Sequence, residues 1–217
     1  MAHLEERMIA IGRASASDES LEGVYRAGAR GEARGAVIAP PHPLYGGSIE
    51  SPVVNELSWA AAKSGIASIA FNWRGVGASA GAPSGEPDAA DEDYAAALDH
   101  LGATVDGGLL ACGYSFGAAA AVRAAEADTS GRIGDVLLVA PPPALIDPER
   151  IAALPQRVLV VSGALDELAP RQALSAALLD APDLVFEVIA GADHFFMGGL
   201  GQLGRIAQQW IGAGGQP

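Results

Sequence analysis

Cationic side chains are scarce in this chain. Lys and Arg total 13, of which Lys63 is the only lysine, against 26 Asp and Glu, and the formal net charge is −13. The arginines are spread without forming a patch, which argues against nucleic acid or an anionic membrane surface as a partner. Cysteine is scarcer still. Cys112 stands alone, so no internal disulfide forms, and its place in the apolar run "LLACGY" reads as a small buried side chain. No run approaches 18 apolar residues, and the opening "MAHLEERMIA" mixes charges of both signs without the apolar core of a signal peptide. The expected location is therefore the cytoplasm. Repeats of 20 to 50 residues are absent, which excludes a solenoid.

What is present is half apolar, with 28 glycines and many alanines. A chain of 217 residues with that composition reads as one tightly packed domain over residues 1–217. Short aliphatic runs recur at residues 35–40, 65–72, 108–114, 135–141, 157–163 and 184–191. Helical patterns lie between them, near residues 51–64, 88–102, 116–127, 170–180 and 200–212. This β-α-β rhythm predicts a mostly parallel sheet covered by helices on both faces. "RMIAIG" and "SLEGVYRA", within residues 1–33, suit an antiparallel hairpin at the sheet edge, and residues 213–217 read as a frayed tail. The Gly/Pro-rich stretch 74–87 reads as a surface loop.

The pattern G-x-S-x-G occurs twice, at residues 113–117 ("GYSFG") and 77–81 ("GASAG"), so context must decide between the two serines. A nucleophile elbow needs a strand that ends at the serine and a helix that begins there. Ser115 has both. Ser79 follows its strand by seven residues and runs into "APSGEP", which cannot open a helix. The neighbouring "GVGASAG" misplaces the third glycine of a dinucleotide fingerprint and precedes no helix, so a nicotinamide cofactor is not expected.

A serine hydroxyl needs a base, and the chain has four histidines. His3 lies in a terminal segment, and His100 sits on a helix past its polar first turn. His194 follows a strand at the carboxyl edge of the sheet, where such folds keep their chemistry, and is the predicted base. The orienting carboxylate is assigned to Asp166 in "SGALDELAP". Glu167 and Asp193 are its competitors, but Asp193 adjoins His194, and adjacent loop residues point apart. The order serine, acid, histidine is that of neither chymotrypsin nor subtilisin. For the oxyanion, one backbone N–H is expected from Phe116 and the other from Leu44 or Tyr45 in "PPHPLYGGS", since Pro41 and Pro43 have none to give. His42 is expected to brace that loop by hydrogen bonds, with His42 and Tyr45 also considered as substrate contacts.

"PHPLYGG", "FNWRGVGAS", "GYSFG", "SGALDELAP" and "GADHFF", in that order over residues 35–210, resemble the alpha/beta-hydrolase superfamily. Within it they look like the compact, esterase- and dienelactone-hydrolase-like bacterial group with an "HPHPLFGG" loop. The chain departs from that loop at Pro40, where the group tends to carry histidine. The resemblance implies an α/β-hydrolase fold, no metal or organic cofactor, and a structural Arg74. Only residues 142–156 separate two strands where many relatives insert a cap, so no cap domain is expected.

The function expected from these residues is a serine hydrolase acting on a small-molecule ester or thioester through an acyl-enzyme. An acyltransferase using the same intermediate, or a hydrolase-like scaffold that binds without turnover, are the alternatives. Epoxide hydrolase and dehalogenase chemistry would need aspartate at position 115. The sequence leaves open a homodimer through the edge strand or last helix.

Overall fold

A computed structural model describes residues 6–14, 16–28, 34–179, 181 and 183–214, the side chains of 16–18 aside. Its eight strands are β1 (Glu6–Arg13), β2 (Ala16–Arg26), β3 (Gly35–Ala39), β4 (Ala67–Phe71), β5 (Leu109–Tyr114), β6 (Ile133–Val139), β7 (Arg157–Gly163) and β8 (Leu184–Ile189). The helices are α1 (Pro52–Lys63), α2 (Pro87–Gly102), α3 (Phe116–Ala127), α4 (Pro148–Ala152), α5 (Arg171–Leu178) and α6 (Leu200–Ala213). All strands join one sheet in the order β1-β2-β4-β3-β5-β6-β7-β8, parallel from β4 through β8.

The apolar runs become strands that are buried along their length. Every residue of β3, β4 and β5 is buried, without alternation, which requires cover on both faces of the sheet. β8, at the edge, alternates between exposed and half-buried positions instead. β1 and β2 form the expected edge hairpin, with Met8 opposite Val24, and β2 joins β4 antiparallel with Tyr25 opposite Ile69. α1 turns Val53, Val54, Leu57, Ala60 and Ala61 inward, the spacing of one helical face, and packs against α6, while α2 packs against α3.

Strand order places the functional crevice. β3 lies between β4 and β5, so the chain moves one way from β3 to β4 and then crosses back over β3 to β5. The carboxyl ends of β3 and β5 therefore flank the point where winding reverses, where open α/β sheets bind ligands.

Between β6 and β7 the only element is α4, and no cap is inserted there. α4 itself is an addition to the reading of residues 142–156 as a plain connection. Five residues are too few to show periodicity. The local signal was Asp147, whose side chain accepts the Glu149 N–H, followed by Pro148 at the first helical position. Among the described residues no helix is long and apolar enough to cross a membrane. α6 continues to Ala213, and residues 215–217 of the expected frayed tail lie outside the described residues, as do residues 1–5 and 29–33 flanking the hairpin.

Candidate active site

Ser115 sits between β5 and α3 with φ 56 and ψ −115, a conformation that costs an ordinary residue about 1–3 kcal/mol. Its N–H donates to the Val139 carbonyl at 2.9 Å, and its carbonyl accepts from the Ala118 N–H at 2.9 Å, so the turn is held from both sides. The flanking glycines are there for space. A Cβ at Gly113 would overlap the Gly117 carbonyl, and one at Gly117 would overlap the carbonyls of Ala39 and Pro40. α3 is thereby pressed against the end of β3, next to the loop that follows it.

The loops after β7 and β8 are fastened together before either contributes a side chain. Ala164 N–H donates to the Ile189 carbonyl and Leu165 N–H to the Ala192 carbonyl, both at 2.9 Å, and Gly163 leaves no room for a Cβ against Ala192. This brings Asp166 to His194. The carboxylate Oδ1 accepts the backbone N–H groups of Leu168 at 2.8 Å and Ala169 at 2.7 Å, and His194 Nδ1 lies 2.9 Å from Oδ2 and 3.0 Å from Oδ1. His194 Nε2 lies 3.0 Å from Ser115 Oγ. All three side chains are buried. An ionised carboxylate only accepts, so Nδ1 carries the proton and Nε2 is left to accept from the hydroxyl. The competing carboxylates are elsewhere: Glu167 is exposed, and Asp193 Oδ1 accepts the Met197 N–H at 3.1 Å.

The loop after β3 differs from expectation. Residues Pro43–Tyr45 form a single 3₁₀ turn in which Leu44 N–H donates to His42 Nδ1 at 3.2 Å and Tyr45 N–H to the His42 carbonyl at 3.1 Å. Both candidates for the loop's oxyanion N–H, Leu44 and Tyr45, are thus engaged within the turn. The one remaining N–H among residues 40–45 is that of His42, since Pro40, Pro41 and Pro43 have none, and it has no acceptor among the described residues. Phe116 N–H, the first of α3, also lacks an intrahelical acceptor. His42 braces the loop through Nδ1, as expected, and its ring contacts Tyr45 at 4.7 Å and Phe116 at 4.6 Å between centroids. Burial lowers its pKa, which keeps the imidazole a neutral acceptor.

Two aromatic residues to which the sequence motifs assigned no role, Trp73 and Tyr114, hold the site. Trp73 Nε1–H is shared between the Pro40 carbonyl at 3.2 Å and the Pro41 carbonyl at 3.0 Å, and its ring meets Phe116 edge-on at 5.5 Å. Carbonyl and N–H point opposite ways across a trans peptide, so fixing the Pro41 oxygen also fixes the direction of the His42 N–H. Tyr114 Oη–H donates to the His194 carbonyl at 2.8 Å, and burial beside Asp166 and Asp193 keeps it a neutral phenol. Neither contact has a local signature, because the partners are 32 and 80 residues apart in sequence.

The other singled-out residues are structural. Ser79 is buried, accepting the Glu22 N–H at 2.9 Å and donating to the Asn72 carbonyl at 2.8 Å. Arg74 ties its loop to α2 through Asp93, at 2.8 and 3.0 Å, and through Glu92. Cys112 is buried, which pushes its thiol pKa up and leaves it inert. His100 lies in the last turn of α2 and His3 outside the described residues. No cluster of three or more metal-ligating side chains occurs among the described residues.

No protein-family model matches the chain, and no curated protein matches it. Solved structures do. An alpha-beta serine hydrolase homologue from Coxiella burnetii is 27% identical, with a TM-score of 0.80, 94% of this chain and 96% of that one being covered. A member of the a/b serine hydrolases without a lid, from Xanthomonas campestris, superposes with a TM-score of 0.84 at 23% identity, covering 98% and 97%. The esterase domain of a Rhodothermus marinus protein gives 0.73 at 15% identity, covering 97% and 99%. The eight-stranded sheet and these likenesses together identify the fold as that of the alpha/beta hydrolases, without a cap domain.

Proposed function

We propose, from that fold, that the chain is a serine hydrolase that cleaves a carboxylic ester or thioester through an acyl-enzyme. The observation that carries this reading is His194 lying within hydrogen-bond reach of both Asp166, at 2.9 Å, and Ser115, at 3.0 Å. Ser115 Oγ attacks the substrate carbonyl carbon as its proton passes to His194 Nε2, and the carbonyl electrons move to oxygen. The imidazolium so formed is stabilised by the Asp166 carboxylate, which two backbone N–H donors hold in place. The oxyanion is received by the N–H groups of Phe116 and His42, neither of which has an acceptor among the described residues. Nε2–H then protonates the departing alcohol or thiol as the carbon–heteroatom bond breaks. Water, deprotonated by Nε2, attacks the acyl carbon, and the carboxylic acid leaves as Ser115 regains its proton.

Covalent labelling by a fluorophosphonate together with hydrolysis of p-nitrophenyl acetate tests this. Ser115→Ala should lose the label and on the order of 10³-fold or more in rate. Ser79→Ala should keep both, since that hydroxyl is occupied by Glu22 and Asn72. A wild-type protein that neither labels nor turns over any ester refutes the reading.

A further inference from the structure

Large apolar side chains exposed on this protein gather on the loops around Ser115. Leu44 and Tyr45 stand on the loop after β3, Leu165 and Leu168 on the loop after β7, and Phe195 and Met197 on the loop after β8. Tyr45 and Met197 are 87% and 86% exposed, values that large apolar side chains on a water-facing surface rarely reach in company. The others of this kind among the described residues, Met8, Trp59, Leu145, Leu179 and Val185, are scattered over β1, α1, the loop after β6, the end of α5 and β8. Ring contacts tie the apolar rim to the chemistry from both sides. Tyr45 leans on His42, which touches Phe116 beside the nucleophile, and Phe195 meets the His194 ring edge-on at 5.6 Å.

Charge narrows the occupant further. The segments 40–51, 140–147, 163–170 and 190–199 contain no lysine or arginine, whereas they hold Glu50, Asp147, Asp166, Glu167 and Asp193. Arg74, on the neighbouring loop, is bound to Asp93 and Glu92, and the exposed Arg171 begins α5 beyond the Asp166 loop. Nothing within these four segments would neutralise a carboxylate or phosphate on a substrate. A recess of about 480 Å³ lined by Leu109 and Ile133, and one of about 630 Å³ lined by Val105, Gly108 and Arg132, do not serve this chemistry, because they lie at the opposite, amino ends of β5 and β6.

We propose that the substrate is an uncharged ester with a long apolar group, which lies across this open rim over Tyr45, Phe195 and Met197 instead of entering an enclosed tunnel. The proposal rests on Ser115 being the acylated nucleophile and deepens that reading. An apolar chain laid on an open surface is covered on about one side, so each methylene should raise kcat/KM about twofold. From acetate to octanoate, six methylenes, that compounds to roughly 60-fold.

The test is kcat/KM for p-nitrophenyl esters from acetate to octanoate, with p-nitrophenyl butyrate compared against the singly charged p-nitrophenyl succinate. The wild type should favour octanoate over acetate by at least about 10-fold and butyrate over succinate by a similar factor. In Tyr45→Ser/Phe195→Ser/Met197→Ser the octanoate-to-acetate ratio should fall at least about fivefold, through KM, while Met8→Ser/Val185→Ser keeps the wild-type ratio. A labelled, acetate-hydrolysing enzyme with a flat chain-length profile, equal use of succinate, or an unchanged ratio in the triple variant overturns the rim proposal alone. Absence of both label and turnover overturns the nucleophile reading and this proposal together.

Discussion

Replacing Asp166 by asparagine changes one oxygen for an NH₂ and should nearly abolish turnover, for a reason that the hydrogen bonds dictate. Oδ1 accepts two backbone N–H groups, from Leu168 and Ala169, so in Asp166→Asn the one remaining side-chain oxygen must occupy that place. The amide nitrogen is then forced to the Oδ2 position, 2.9 Å from His194 Nδ1. Nδ1 then faces a donor, the NH₂ at the Oδ2 position, as well as the carbonyl oxygen at the Oδ1 position 3.0 Å away, and the NH₂ favours the tautomer that carries its proton on Nε2. In that tautomer Nε2 has no lone pair for the Ser115 proton, and general-base catalysis is lost with the backbone geometry intact. The expected loss in kcat is on the order of 10⁴-fold for p-nitrophenyl acetate. Stability should change by less than about 2 kcal/mol, because both backbone donors keep an acceptor. Stopped-flow or steady-state hydrolysis and urea denaturation of the same samples measure both quantities. A variant retaining a tenth of wild-type kcat would show that Asp166 does not set the tautomer and would refute the reasoning.

Trp73→Phe removes the donor shared by the Pro40 and Pro41 carbonyls, leaving both without their indole partner, and should lower stability by about 1–3 kcal/mol. Because the Pro41 carbonyl sets the direction of the His42 N–H, kcat for p-nitrophenyl acetate should also fall, by about 10-fold, with KM little changed, a partial loss of one oxyanion donor; an unchanged kcat in a destabilised variant leaves Trp73 a purely structural residue. His42 should titrate below the ordinary histidine value of 6.5 when followed by NMR, since burial disfavours its charged form. The unfolded chain then binds the proton more readily, so the His42 contribution to stability is present above pH 6.5 and is lost as pH falls toward the lowered native value, and a His42 titration at or above 6.5 contradicts this.

Much of the architecture was legible because its signals are local. A five-residue run such as "GAVIA" without alternation means a strand covered on both faces, and β3 is buried at every position. "GYSFG" between an apolar run and an alanine-rich stretch marks a strand-to-helix turn, and Ser115 has the positive φ that such a turn requires. The choice of Asp166 over Asp193 also rested on a local rule, and Asp193 does turn away, to the Met197 N–H.

The oxyanion loop shows where local reading stops. Counting prolines removed two donors, at Pro41 and Pro43, but it could not tell that Pro43–Tyr45 closes into a 3₁₀ turn whose own acceptors take up Leu44 and Tyr45. "GASAG" was separated from "GYSFG" by context, whereas the bonds that occupy Ser79, to Glu22 and Asn72, come from β2 and the end of β4. Composition, periodicity and motif order determined the strands, the helices and which serine, acid and histidine to consider, because each depends on neighbours within a few residues. Only the folded chain decided which backbone N–H stays free, which indole and phenol hold the loops, and that Tyr45 and Phe195 lie against His42 and His194. Those outcomes depend on contacts between segments brought together by strand order, and no pattern along the chain records which hydrogen-bond partner another segment has already taken.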